Sequence, residues 1–445
     1  MKQSPVCQAE RLVDYRPRQV RFRWNSDAGA YRHNFERDLH GIAIWDAARD
    51  ADDTVLEEVA RGDNSLEVLQ AYDISWSSRH IASNFNRIYG RDPSNPSSRH
   101  EKVGAGPFLY IVVEDHEPDY IVWQNISGKV EFTNRSIAHL KPRIRAITET
   151  ETFRYNIHSS NSLVEFMSDA VLFLGLDIFR EQLADGFPER GPAVSLEQDM
   201  AGAGGWNDLS EMFEVMRYAC NAVVLRGYEE LRGAGSAANF SVDEIDILCD
   251  DLGSLSGAAC ATPTSSDPSK SAFTTLICGR TVKLDVRSVG DGYQDARWQQ
   301  QMLGTATWDE GGFPALEPVN YLFSLLCHAK VQKPTVKPLY QQVLPDLARQ
   351  VGLPPDVAQQ VTSDEVAARL LSGYLVANNY RIPVTTDGRV HRNRDFAARL
   401  GSLVDAGRVA RPKKLIAHLR REVRRRAASI PWVRNAYRRL RSLGR

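Results

Sequence analysis

Three acidic side chains, Glu244, Asp246 and Asp285, have the types and the spacing to hold a divalent cation. Residues 244–248 read Glu-Ile-Asp-Ile-Leu and residues 282–287 read Val-Lys-Leu-Asp-Val-Arg. A strand alternates its side chains between two faces, so Glu244 and Asp246 share one face while Ile245 and Ile247 back it. On the second segment Lys283, Asp285 and Arg287 share a face, backed by Val282, Leu284 and Val286. If the two strands are neighbours, three carboxylates converge beside cations. Like-charge repulsion opposes such bunching, and a divalent cation relieves it. Mg²⁺ favours one or two carboxylates combined with substrate phosphates.

The elements that must position these acids come in a definite order. An amphipathic helical stretch begins at 209, a short apolar strand follows at Ala222-Val223-Val224-Leu225, and Arg226-Gly227 makes a turn. Then come the acid-x-acid strand and a later strand with one more acid. Over about residues 205–330 this order resembles the polymerase-β-type nucleotidyltransferases. The resemblance implies Glu244 and Asp246 as a metal-binding pair, Asp285 as the third ligand, and Mg²⁺ or Mn²⁺ as the ion. It also implies a nucleoside triphosphate substrate and Arg226-Gly227 as the phosphate turn, with Arg226 and Lys283 neutralising phosphates. Gly235-Ser236 is a rival turn, although no strand precedes it. The turn lacks the family's serine, and Glu244 stands where the family usually has Asp.

Upstream, strands are expected at 40–45, 66–75, 106–114 and near 119–124. Helices are expected at 53–61, from Ser77 or Ser78 to about Tyr89 and at 162–174, with a basic helix or loop at 135–147. Strands alternating with helices around one sheet make a compact α/β domain. The order resembles nucleoside diphosphate kinase over about residues 38–175. The pieces that carry the likeness are Leu66–Ser75, Gly106-Pro107, Phe132-Thr133-Asn134, Arg143 or Arg145, and Asn156-Ile157-His158-Ser159-Ser160. The resemblance implies a ferredoxin-like fold with His158 as the phosphate-accepting nucleophile, Ser160 orienting it, and Asp169 hydrogen-bonded to it. Thr133 and Arg143 or Arg145 would hold the phosphates. An imidazole attacks a phosphate through one nitrogen while a hydrogen bond holds the other.

With 445 residues the chain is long enough for two or three cores. The whole is expected to be α/β (α+β). Residues 1–37 read as an irregular lead-in, 38–178 as the kinase-like domain, 179–205 as a Gly/Pro-rich linker and 206–317 as a small mixed-sheet nucleotidyltransferase-like domain. Residues 318–405 read as a helical module and 406–445 as a basic amphipathic tail. Within the middle domain, 253–272 reads as an exposed loop and Ser288–Tyr293 as a Gly-rich turn. His328 and Lys330 are the most eligible polar residues of the helical module.

A net charge of −1 excludes bulk polyanion binding by the whole chain, and six scattered cysteines without a CxxC pair favour reduced thiols. No run of about 18 apolar residues is present, and residues 1–5 do not begin a signal peptide. Residues 411–445 hold thirteen Lys/Arg and one acid, so the other 410 residues carry −13. Leu415, Leu419, Val423, Trp432 and Tyr437 lay an apolar stripe beside those cations. Such helices lie on anionic membranes, which points to a cytoplasmic protein held peripherally on the inner face, with nucleic acid an unlikely partner.

The leading expectation is a metal-dependent nucleotidyltransferase acting on a sugar, polyol or phosphorylated acceptor in bacterial envelope or capsule polysaccharide synthesis. The alternatives are a histidine-based phosphotransferase centred on His158 and an inert nucleotide-binding scaffold at the membrane.

Overall fold

The structure, a computed structural model, describes residue 12 and residues 15–25, 29–61, 65–89, 99–124, 130–150, 156–187, 191–234, 240–265, 272–382, 387–388 and 390–410. The fold is mixed α/β, with sheets of five, seven and four strands among these residues.

The five-stranded sheet runs in the order Ile157–Ser159, Leu39–Ile44, Phe108–Asp115, Leu66–Ser75, Val194–Glu197. Neighbours are antiparallel except the last pair, which is parallel. The continuous apolar run of Phe108–Asp115 follows from its place at the centre, where all eight residues are buried. Helices Asp52–Arg61 and Arg135–Thr148 cover one face through Val55, Val59, Ile137, Leu140 and Ile144. Helices Ile81–Ile88 and Leu163–Asp185 cover the other, where Trp45, Trp76, Phe85, Phe108 and Phe173 form an aromatic cluster.

The seven-stranded sheet has the order Thr262–Pro263, Ala272–Ile277, Arg280–Ser288, Glu244–Cys249, Ala222–Val224, Pro314–Ala315, Thr307–Trp308. Helices Pro318–Val331, Pro338–Gln350, Pro355–Gln359 and Asp364–Asn378 follow it, as their spacing foretold. Pro354 and Ser363 occupy the N-cap positions expected of them; the Ser363 hydroxyl accepts the Val366 N–H at 3.3 Å.

Several expectations need correction. Residues 179–205 do not form a linker: Leu163–Asp185 runs as helix with a break at Gly175 (φ +73°), and Val194–Glu197 is a sheet strand. The apolar core is continuous between the five- and seven-stranded sheets, with Trp206 buried at the junction and its indole N–H on the Ala259 carbonyl at 2.9 Å. The lead-in is partly regular. Arg23–Asn25 and Ala30–Arg32 join Tyr120–Gln124 and Val130–Asn134 in the four-stranded sheet, so the strand expected near 119–124 belongs to a different sheet from the first three. Residues 252–258 form a helix with Leu255 and Ala258 buried, where an exposed loop was expected. The 81–88 helix is not capped by serine; Ser77 instead donates to Asp199 at 2.7 Å.

The Gly235-Ser236 turn and the tail at 411–445 lie outside the described residues. Among the described residues no helix is long and apolar enough to cross a membrane, and Cys220, Cys249, Cys260, Cys278 and Cys327 are free thiols.

Candidate active site

The two acidic strands are direct neighbours. Glu244–Cys249 and Arg280–Ser288 pair in parallel, with Asp246 opposite Asp285 and Glu244 opposite Lys283. Because the side-chain period is two, this register puts all three acids on one face. Ile245, Ile247, Val282, Leu284 and Val286 are buried on the other. Glu244, Asp246 and Asp285 each offer a carboxylate oxygen, and the three oxygens lie within 4.8 Å of one another. The donor set is all-oxygen and anionic, which fits Mg²⁺ or Mn²⁺.

Each acid also has its own cation. Lys283 Nζ stands 3.1 Å from Glu244. Arg226 pairs with Asp246. Arg287 reaches Asp285 at 3.2 Å and Asp387 at 3.0 Å. Burial pushes the Asp246 carboxyl up; Arg226 opposes that shift, while Asp285 and Glu244 reinforce it. Arg226 is buried at the end of the Ala222–Val224 strand, whose edge is fixed by the Leu225 N–H on the Asp246 carbonyl at 2.8 Å. Burial alone would weaken its proton affinity, but Tyr293 and Asp246 raise it, so Arg226 stays charged. Gly227 sits at φ +82° with open space where a Cβ would go, so conformation and not crowding calls for glycine in this turn.

Residues far off in sequence complete the site. The Tyr293 hydroxyl lies 3.3 Å from Arg226 and 2.7 Å from His328 Nδ1. The Arg287 guanidinium stacks over its ring, 4.5 Å from the centroid. Burial, then Arg226 and Lys333, hold the His328 imidazole well below its usual range, so it stays neutral. Lys333 is depressed by burial and by Arg226 and Lys337, and it feels Asp246 and Asp285 from the loop after the 318–331 helix. His328 was an eligible residue of the helical module, whereas Tyr293 and Lys333 were not singled out. Only the position of Tyr293 at the end of the Gly-rich turn hinted at it. That turn is closed by Gln299, which accepts the Gly290 N–H and donates to Asp291, both at 2.8 Å.

His158 lies in a second cleft, between the five-stranded sheet and the 252–258 helix. Its Nε2 is 2.7 Å from Asp169, as the kinase-like motif implied. The rest of that motif is dispersed. Arg145 lines the cleft with Lys141, Glu165 and Asp169, but Thr133, Arg143 and Ser160 do not. Ser160 Oγ accepts the Gly41 N–H at 2.9 Å and ties two strands together, and so does not orient the histidine. Arg143 pairs with Glu58 at 2.8 Å. Thr133 is buried on the four-stranded sheet. No family model, curated protein or solved structure matches this chain.

Proposed function

We propose that the chain is a metal-dependent nucleotidyltransferase that moves a nucleotidyl group onto a sugar, polyol or phosphorylated acceptor. The observation that carries this reading is the in-register parallel pair that brings Glu244, Asp246 and Asp285 within 4.8 Å beside buried Arg226. In this reading the acceptor oxygen attacks the α-phosphorus of a nucleoside triphosphate, the bond to the bridging oxygen breaks, and pyrophosphate leaves in line. Bound Mg²⁺ or Mn²⁺ supplies Lewis acidity to the phosphoryl oxygens and lowers the pKa of the attacking group. Glu244, Asp246 and Asp285 hold that ion. Arg226 and Lys283 turn from their carboxylates to the phosphates, and Lys333 and Lys337 approach from the helical side. Tyr293, held by His328 and Arg287, lies against Arg226. A panel of nucleoside triphosphates with Mg²⁺ or Mn²⁺ and pyrophosphate detection tests the reading, and no turnover of any of them favours the inert scaffold.

If Lys333 and Lys337 contact phosphates, replacing both by methionine should raise KM for the nucleotide roughly tenfold, about 1.4 kcal/mol, with kcat little changed. Steady-state kinetics over a nucleotide series would check this, and an unchanged KM would exclude both lysines from the nucleotide site.

The five-stranded sheet supports a ferredoxin-like likeness for the N-terminal unit. Counting its strands in chain order from Leu39–Ile44, the first four lie as fourth, first, third, second, all antiparallel. The Asp169–His158 hydrogen bond favours the phosphotransferase as a second reading. It requires an acid-labile label from γ-labelled nucleotide that disappears in His158→Ala.

The basic tail supports peripheral attachment to the inner face of the membrane. At about 1 kcal/mol per cation near an anionic surface, the full chain should sediment with phosphatidylserine-containing vesicles at low salt. A chain ending at 410 should remain in the supernatant, and equal sedimentation of the two would remove the tail from this role.

A further inference from the structure

The His158 cleft holds a second group of metal-ligating side chains whose chemistry differs from that of the first. His158, Glu165 and Asp169 each offer a ligand atom, and the three lie within 4.8 Å of one another. Two separate elements bring them together. His158 sits on the short strand Ile157–Ser159, fixed opposite Ala43. Glu165 and Asp169 are one turn apart on the Leu163–Asp185 helix and therefore share a face. The first turn of that helix is anchored by the Ser162 cap and by one Glu165 oxygen, which accepts the Asn161 N–H at 2.6 Å. His158 Nε2 and Asp169 Oδ2 stand 2.7 Å apart in a hydrogen bond, and a tetrahedral ion with ligands at about 2.1 Å would part them to roughly 3.4 Å.

Charge balance distinguishes this group from the first site. At the first site every carboxylate has its own lysine or arginine. Among the described residues none stands within ion-pair distance of Glu165 or Asp169, and their one such partner is the imidazole. Lys141 donates to the Ser159 carbonyl at 2.8 Å and to Asn161, and its charge acts on Glu165 and Asp169 from beyond ion-pair distance. A protonated imidazole would cancel one negative charge and leave the other to Lys141, which acts only from beyond ion-pair distance. A divalent ion cancels both.

We infer that His158, Glu165 and Asp169 form a second metal centre, selective for a first-row transition ion such as zinc, with its open position facing the cleft. One imidazole nitrogen with two carboxylates suits Zn²⁺ or Co²⁺ better than Mg²⁺. Three protein ligands leave a fourth position for water or an oxyanion, the arrangement of reactive zinc sites. Arg145 and the hydroxyl-bearing Ser159 and Ser168 line the cleft on which that position opens. The site is independent of the nucleotidyltransferase reading.

The test uses the full, chelator-treated chain in millimolar Mg²⁺, which competes with Zn²⁺ for all-oxygen ligand sets. Equilibrium dialysis should find close to one tightly held Zn²⁺ per chain, and Co²⁺ should give the visible absorption of a nitrogen- and oxygen-ligated ion. His158→Gln and Asp169→Asn should each weaken Zn²⁺ binding at least about tenfold and abolish the Co²⁺ spectrum. Asp246→Asn should retain both. Apo-state circular dichroism and melting of the variants separate ligand loss from misfolding. Zn²⁺ affinity and Co²⁺ spectra unchanged in both His158→Gln and Asp169→Asn, or absence of micromolar Zn²⁺ binding by the wild type, would overturn the inference.

Discussion

Asparagine in place of Asp246 should reduce pyrophosphate release by at least about a hundredfold at saturating nucleotide. Asp246 is the central acid of the triad, flanked by Glu244 two residues away and by Asp285 in register on the next strand. In the proposed mechanism, losing its charge removes a metal ligand and the phosphoryl stabilisation that a bound ion would supply, worth several kcal/mol, and each 1.36 kcal/mol is tenfold in rate. The variant also leaves buried Arg226 without its carboxylate, which is destabilising. Asp285→Asn is therefore the necessary companion, because Arg287 keeps Asp387 as a partner. Both variants should lose turnover, while Asp285→Asn should melt closer to the wild type. Undiminished pyrophosphate release in either variant, measured by a coupled assay alongside thermal melting, would end the mechanism.

The second large effect concerns stability. Asp38 is fully buried and accepts from His33 at 2.8 Å, His40 at 3.1 Å, Tyr120 at 2.8 Å and Asn134 at 2.9 Å. Asp38→Ala should cost about 3–5 kcal/mol, the range for removing one partner from a buried charged network. Burial by itself would raise the Asp38 pKa, but His40 and His33 more than reverse this and hold the carboxylate well below its usual range. A folded-state pKa below the unfolded value of about 3.9 stabilises the fold in full above that value. The contribution fades as pH falls toward the folded pKa. The stability gap between wild type and Asp38→Ala should therefore be level at neutral pH and narrow below about pH 4. Denaturant titrations across that range would measure it, and a gap that widened in acid would refute the assignment.

How much of this was legible beforehand depends on the range of each interaction. The faces of the acidic strands followed from alternation, because Ile245, Ile247, Val282, Leu284 and Val286 mark the buried side. The helices after Pro318 were legible from their spacing and their Pro and Ser starts. Two short strands were not legible: Arg23–Asn25 and Val194–Glu197 hold three and four residues, too few for a period to register, whereas Ala222–Val224 was marked by its unbroken apolar run. Gly- and Pro-rich composition marked 179–205 as a linker, yet partners more than a hundred positions away, such as Tyr72 opposite Val194, draw it into a sheet. Within the candidate site, His328 meets Tyr293 across thirty-five positions, a proximity that local pattern does not encode. The kinase-like motif kept His158 with Asp169 and left Arg145 on the cleft, while Ser160, Thr133 and Arg143 are turned to other partners or another sheet.

The one-to-one matching of Glu244, Asp246 and Asp285 with Lys283, Arg226 and Arg287 bears on how the proposed substrates would arrive. In its resting condition each of the three acids is already paired, and a bare magnesium ion or a bare triphosphate would each have to evict an incumbent before gaining anything. The magnesium–triphosphate complex meets no such obstacle, since its metal claims the acids while its oxygens claim the released guanidinium and ammonium groups. Loading would then be a concerted exchange of partners, with each half of the complex making room for the other.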